Sequence, residues 1–432
     1  MINELLLNLK SQTVHKVMQN TIFQVAGKIL TMSVTILVTI IITRTYGKVG
    51  FGEFNLMQSF PALFFIIADF GLNAIASREL SKNFDNAQKY LSNIIILRLF
   101  ISAFLMVVAF IVLRMFPYNE ALVFGIYLSM FLIITQTLYA SPNIIFQVKL
   151  RYDLSTIGLV IGSAVILIFA GIFSYLKYPI SIVNFSYVLG GIVTFIINMY
   201  FVSKLGVNFV LDVDKKLWNY LILQSWPIGL TFVFSQINFR ADSIMLSVLP
   251  VNSKFEFTNT EAVGIYGLPY KIFEVLLVVP TFFMNSVYPI FVRHMTEGKT
   301  RLFGTFRNSM LFLFLSGILI SIGIIIFAPF IINILGGTEF SDSVLVLKLL
   351  VSGIVVFYVT QPISWLLVTL GKQHYLPLIY LVAAIFNLSM NFMLIPHYSF
   401  YASSVITWTS EAVILILLII FAYKAWNEKF AE

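Results

Sequence analysis

The sequence predicts an all-α integral membrane protein of about twelve transmembrane helices, arranged as two pseudo-symmetric six-helix lobes. Three observations predict it. Only 11% of residues are charged while 59% are hydrophobic, and most charges punctuate apolar runs long enough to cross a bilayer. Cations are shared unequally between alternate connections. A short motif at the start of the second run returns almost half a chain later.

In order, the runs are 20–43, 52–71, 91–113, 121–146, 155–176, 181–203, 219–249, 262–290, 308–332, 344–369, 375–395 and 400–423. At 1.5 Å per residue, about 20 apolar residues span a hydrocarbon core of about 30 Å, and every run meets that length. The connections are short, so the membrane-embedded part must carry the function. Ahead of the first run, Met1 to Asn20 is polar, carries Lys10, His15 and Lys16, and lacks a small-residue cleavage site. It is expected to remain as a lead-in, with Leu5–Lys10 either a short surface helix or disordered.

Seventeen Lys and Arg fall in connections on one side. Five, namely Arg44, Lys48, Arg114, Lys177 and Lys254, fall on the other, while Lys28, Arg98, Arg240, Lys271 and Lys348 lie inside runs. The positive-inside rule makes the richer side, and with it both termini, cytoplasmic. The net charge of +8 follows this bias, and no basic cluster is long enough to hold nucleic acid.

Val49-Gly-Phe-Gly-Glu-Phe54 opens the second run and Val263-Gly-Ile-Tyr-Gly-Leu268 opens the eighth, 214 residues later. Six runs separate the copies, so both halves run the same way, as in a parallel repeat with a substrate path between lobes. The lobes are expected at 1–208 and 209–432, joined through Leu205 to Leu217.

The first run carries Thr21, Gln24, Lys28, Thr31, Thr35 and Thr39 within a sector of about 80°. A polar face on a membrane helix either hydrogen-bonds a neighbour or lines a water-filled cavity, and Lys28 at its centre favours the cavity. The seventh run repeats this with Gln224, Thr231, Ser235, Asn238 and Asp242, around a kink expected at Pro227. Arg240, two residues from Asp242, points nearly the opposite way, so one of the two faces the cavity and the other pairs elsewhere. In the eighth run Tyr270, Lys271, Glu274, Thr281 and Asn285 share a side, and Lys271 and Glu274 are spaced to neutralise each other.

Lys28, Arg98, Arg240 and Lys271 together point to a cavity for something anionic, with Arg98 near enough to a run end to snorkel. Glu411, on a face with Ser404 and Thr407, is a proton site or a satisfied buried carboxyl. Asp242, Glu274 and Glu411 are the intramembrane carboxylates able to carry a coupling ion, Na⁺ or H⁺. Gly158 and Gly162 form a GxxxG pair of the kind that brings helices together. The Pro250–Glu261 loop exceeds its first-half counterpart and carries no functional signal.

Chemistry of other kinds is missing from the sequence. It has no cysteine, which removes disulfides and thiol catalysis, and His15, His294, His374 and His397 are too scattered for a metal cluster. No Walker A motif, phosphate-gripping glycine loop or nucleophile elbow occurs. The expectation is a transporter with no cofactor or metal, driven by a gradient and not by ATP.

Ile42-Thr-Arg-Thr-Tyr-Gly-Lys-Val-Gly-Phe-Gly-Glu-Phe54, Ala68-Asp-Phe-Gly-Leu-Asn73 and Ser77-Arg-Glu79 resemble the N-terminal signature of polysaccharide (O-antigen type) flippases of the multidrug/oligosaccharidyl-lipid/polysaccharide (MOP) exporter superfamily. Arg240-Ala-Asp-Ser-Ile-Met-Leu246, Ala262-Val-Gly-Ile-Tyr266, Tyr270-Lys271, Gly371-Lys372, Asn387, Asn391 and Ile395-Pro396 extend the resemblance along the chain. It implies two six-helix lobes that open alternately to the two faces of a bacterial plasma (inner) membrane. The implied substrate is an undecaprenyl-pyrophosphate-linked oligosaccharide. Lys28, Arg98, Arg240 and Lys271 would hold the pyrophosphate, and Gln24, Thr31, Thr35, Asn238, Tyr270, Asn387 and Asn391 would line the cavity. Polysaccharide polymerase and chain-length machinery are the implied protein partners.

Three rivals stand beside this reading. A MATE-like exporter of small molecules would favour cavity carboxylates over the cations found here. A lipid II-type flippase would bring fourteen spans. A membrane polysaccharide polymerase would need a large extramembrane loop with catalytic groups.

Overall fold

The computed structural model describes residues 2–252 and 255–430, with side chains from Ile22 onward. Thr21 of the polar stripe and the cations Lys10, Lys16 and Lys254 therefore have side chains outside the described residues. The first part of the chain forms α1 (Ile2–Asp69), α2 (Leu72–Lys82), α3 (Ala87–Leu113), α4 (Glu120–Ser129), α5 (Phe131–Ala140), α6 (Asn143–Val148), α7 (Tyr152–Tyr175) and α8 (Ile180–Lys204). The remainder forms α9 (Lys215–Val248), α10 (Asn259–Leu276), α11 (Val278–Glu297), α12 (Lys299–Leu335), α13 (Ser343–Ser352), α14 (Ile354–Thr369) and α15 (Leu376–Phe430). No strand occurs among the described residues.

Nine helical runs among the described residues are long and apolar enough to cross a membrane. Two of them, Ile22–Lys82 and Gln373–Phe430, have 61 and 58 residues, about three times the length one crossing needs. Each contains a helix broken at a non-helical residue: Gly47 (φ 62°, ψ −164°) in α1 and Ser399 (φ 51°, ψ −136°) in α15. Glycine reaches such angles freely; serine does so at a cost of about 1–3 kcal/mol. The polar α9 is not among the nine, so counting by apolarity gives a smaller number than the twelve runs drawn from the sequence.

Helices begin where side chains satisfy their first amides. Asn119 Oδ1 accepts the Leu122 amide at 2.8 Å to start α4, and Thr258 and Glu261 form a reciprocal capping box at α10. Several predicted runs are broken internally. α4 and α5 meet at Met130, α10 and α11 at Leu277, and α13 and α14 at Gly353.

Packing divides the chain into two compact units, Met1–Ile41 with Phe60–Gly229, and Ile42–Ser59 with Leu230–Glu432. These differ from the expected lobes in two stretches, 42–59 and 209–229. In the first unit α7 and α8 lie close along their length. A methyl on Gly158 would overlap the Asn198 amide, and one on Gly162 the Thr194 hydroxyl, so the GxxxG pair serves close contact. Leu72, Ile75, Leu91, Ile94, Phe146 and Val202 form a buried apolar core in this unit.

In the second unit the segment 42–59 packs on α10. A Cβ on Gly52 would strike the Thr260 carbonyl, and one on Gly264 would strike the Lys48 carbonyl. The two echo motifs thus meet face to face, with Gly52 opposite Gly264. Lys48 adds an ion pair with Glu261 at 3.2 Å, and Arg44 donates to the carbonyls of Asn333 and Ile334 near the C-terminal end of α12.

Candidate functional site

Asp242 on α9 is fully buried in the second unit. Its Oδ2 accepts from the Tyr266 hydroxyl at 2.8 Å and Thr407 at 3.1 Å, and its Oδ1 accepts from Asn391 Nδ2 at 2.8 Å. Asn391 also donates to the carbonyl of Asn387 and receives the Ser403 hydroxyl at 3.0 Å, and Asn387 donates to Ser410 at 3.3 Å. Helices α9 and α10 and both arms of α15 therefore converge on one carboxylate through neutral donors. Glu411, one turn beyond Thr407, is also buried and lines a cavity with Asn238, Tyr380, Thr407 and Ser410. Asn238 gives its amide N–H to the Phe234 carbonyl at 3.2 Å and leaves Oδ1 without a partner. Among the described residues no Lys or Arg pairs with either Asp242 or Glu411. A buried carboxylate without a cation is a group that can exchange a proton or a small cation.

A second cluster in the same unit has the opposite balance. Arg240 and Lys271 both bond Glu274, at 2.9 and 3.4 Å, so two cations share one carboxylate at about one-fifth exposure each. Arg240 and Asp242 go to separate partners, as a spacing of two along a helix requires. Tyr270 lies buried between Tyr266 and Phe273, with its hydroxyl unpartnered. Thr281 and Asn285 fall on α11, beyond the break at Leu277, and are exposed.

The first unit holds the other two predicted cations in contrasting settings. Arg98 has no solvent exposure and donates to Asp69, to Ser141 Oγ at 2.7 Å and to the Thr137 carbonyl at 3.3 Å. Asp69 ends α1 at a left-handed break through Phe70 (φ 41°) and Gly71 (φ 72°). A side chain at Gly71 would meet Ile228, and one at Gly229 would meet the Phe70 ring, so this break is a socket for α9. The Arg98 guanidinium is thus engaged inside the unit. Lys28 is exposed, while its neighbour Gly27 turns toward Thr156 of α7. Gln24 is half-buried, and Thr31, Thr35 and Thr39 donate to carbonyls one turn back at 3.0, 3.0 and 2.8 Å.

Sequence reasoning did not find Asp69 as the partner of Arg98, or Tyr266, Ser403 and Thr407 around Asp242. For the first, the run that holds Asp69 also carries Glu53, so charge balance alone did not single out the partner of Arg98. Among the described residues no three His, Asp or Glu side chains form a metal-holding group.

A family profile described as "Polysaccharide biosynthesis protein" matches residues 17–295. No curated protein matches the sequence. An inward-facing multidrug resistance MATE family transporter of the MOP superfamily superposes with a TM-score of 0.73 at 13% identity, covering 93% of this chain and 95% of its own. The lipid II flippase MurJ in an inward closed conformation gives 0.72 at 14% identity, covering 95% and 91%. A MOP superfamily transporter from Pyrococcus furiosus gives 0.67 at 13% identity, covering 96% of each chain. At such identities the likeness shows a shared fold: this is a multi-pass helical membrane protein folded like these transporters.

Proposed function

We propose that this chain, which belongs to the polysaccharide biosynthesis protein family, is a flippase for undecaprenyl-pyrophosphate-linked oligosaccharides. It moves them from the cytoplasmic to the outer leaflet of a bacterial plasma membrane by alternating access, with both termini cytoplasmic. The observation that carries the reading is the excess cation at Arg240, Lys271 and Glu274. A charge held inside membrane helices costs at least about 2.5–3.5 kcal/mol unless something offsets it, and a pyrophosphate anion would do so. Lys28 is an exposed cation on the polar stripe of the first unit, and the Thr, Asn, Gln and Tyr groups of the helices suit the sugars. Arg98 contributes by holding its unit together through Asp69.

The cycle draws on Na⁺ or H⁺. Glu274 already serves two cations, so Asp242 and Glu411, which lack one, are the better-placed coupling carboxylates. Polysaccharide polymerase and chain-length proteins are the proposed partners that take up the flipped units.

The test is transfer of a fluorescent lipid-linked oligosaccharide across proteoliposome membranes, with Na⁺ and proton gradients imposed separately. Transfer accelerated by one gradient, and lost in Arg240→Gln/Lys271→Gln, is the expected result. Absence of glycan transfer combined with export of small organic cations would overturn the reading in favour of a drug exporter. Transfer indifferent to both gradients would make the protein a facilitator.

A further inference from the structure

The connection 205–214 between α8 and α9 has a fixed backbone and an apolar outer surface. The Val207 amide bonds the Val202 carbonyl at 3.2 Å, the Val210 amide bonds Ser92 Oγ at 3.0 Å, and the Asp214 amide bonds Asn93 Oδ1 at 2.8 Å. Ser92 and Asn93 are fully buried, and the Val207 side chain plugs the core of the first unit. Asp214 then caps α9 by accepting the amides of Lys216 and Leu217 at 2.9 and 3.0 Å. Such anchoring rules out collapse of the segment onto its own apolar side chains. Phe209, Val210, Leu211 and Val213 point outward instead, and Leu211 is 83% exposed.

The position of the segment says what covers it. It joins the end of one candidate span, α8, and rests on the first turns of another, α3, so it lies at the edge of the bilayer. Lys204, Lys215 and Lys216 flank it, all exposed. Of its two acids, Asp214 is paired with Lys89 at 2.7 Å, and that bond holds its carboxyl below the usual carboxylate range. Asp212 is the other, leaving a net positive rim around four apolar side chains. Apolar residues ringed by lysine are the combination that binds an anionic lipid interface, acyl boundary and headgroups together.

We propose that residues 205–214 form a preshaped interfacial anchor. Phe209, Val210, Leu211 and Val213 enter the acyl–headgroup boundary, while Lys204, Lys215 and Lys216 contact anionic phospholipid headgroups. The inference concerns a surface apart from the charged clusters above and stands whether or not the glycan reading holds.

The absence of native cysteine allows a clean test. Leu211→Cys, and separately Val213→Cys, would be labelled with an NBD fluorophore in nanodiscs of phosphatidylcholine, with or without phosphatidylglycerol. The expected result is blue-shifted emission, quenching by bromolipid and protection from iodide, all greater with phosphatidylglycerol. Changing Lys204, Lys215 and Lys216 to Gln should remove the phosphatidylglycerol dependence at both positions. Water-like emission in every lipid mixture would overturn the anchor, and an equal blue shift with and without anionic lipid would overturn the headgroup contact. A blue shift in detergent that rises with protein concentration would assign the surface to a second copy of the chain instead.

Discussion

Arg98 and Asp69 form a buried ion pair that fastens the end of α1 to α3, beside the left-handed break at Phe70 and Gly71. Because Arg98 has no exposure, its loss would leave the Asp69 carboxylate largely desolvated with no cation. Arg98→Gln should therefore destabilise the protein by about 3–5 kcal/mol, with reduced abundance and activity together. Adding Asp69→Asn should restore part of the loss. Thermal unfolding in detergent and size-exclusion profiles read both effects. An Arg98→Gln protein that melts like wild type yet fails to flip would make the residue a substrate contact.

The Gly52–Gly264 crossing makes a second prediction. Gly52→Ala and Gly264→Ala each place a methyl against a backbone carbonyl, of Thr260 and Lys48 respectively, which cannot swing aside. Each should cost about 1–3 kcal/mol and lower the melting temperature. Gly323→Ala on α12 meets nothing within 4 Å and should be neutral or stabilising by up to about 1 kcal/mol. Equal effects at all three positions would mean that close approach is not what these glycines provide.

Lys28 should behave unlike Arg98, because it is exposed and forms no ion pair among the described residues. Lys28→Ala or Lys28→Gln should abolish or strongly reduce surface glycan in a strain lacking its own flippase, with protein abundance unchanged. Lys28→Arg should retain partial activity, since the charge survives while a planar fork replaces a compact ammonium. Full complementation by well-expressed Lys28→Ala would return the residue to a structural role.

The cation asymmetry predicts topology. A reporter fused after Glu432 should be active only in its cytoplasm-specific form. Activity of a periplasm-specific reporter there would require either an odd number of crossings or a reversed assignment of sides, and would overturn the twelve-run topology with cytoplasmic termini.

Much of this architecture was legible in residue order, because apolar runs and their charged borders record the bilayer directly. The breaks at Gly47 and Ser399 fall in the gaps drawn between runs, next to Arg44 and Pro396. The breaks at Met130, Leu277 and Gly353 left no such mark, since the chain stays apolar across them and hydropathy does not register a hinge. The two echo segments also pack on each other, with Gly52 opposite Gly264, which a repeat in the sequence does not by itself reveal. Asp69 with Arg98, and Tyr266 with Asp242, could not be paired because pairing depends on which helices abut. Lys28, Arg240 and Lys271 were visible as costly charges, but their surroundings were not.

Helix α9 runs unbroken from Lys215 to Val248, yet packing assigns it to one unit as far as Gly229 and to the other from Leu230. The chain changes allegiance inside a rod and not in a flexible tether. The same holds at 41/42 and 59/60, both inside α1, so every change of unit along the chain falls within a helix. In α9, Pro227 removes one rung of the hydrogen-bond ladder two residues before the change. The bend that a proline allows is the cheapest change of shape open to this helix, and it lies where the chain passes from one unit to the next.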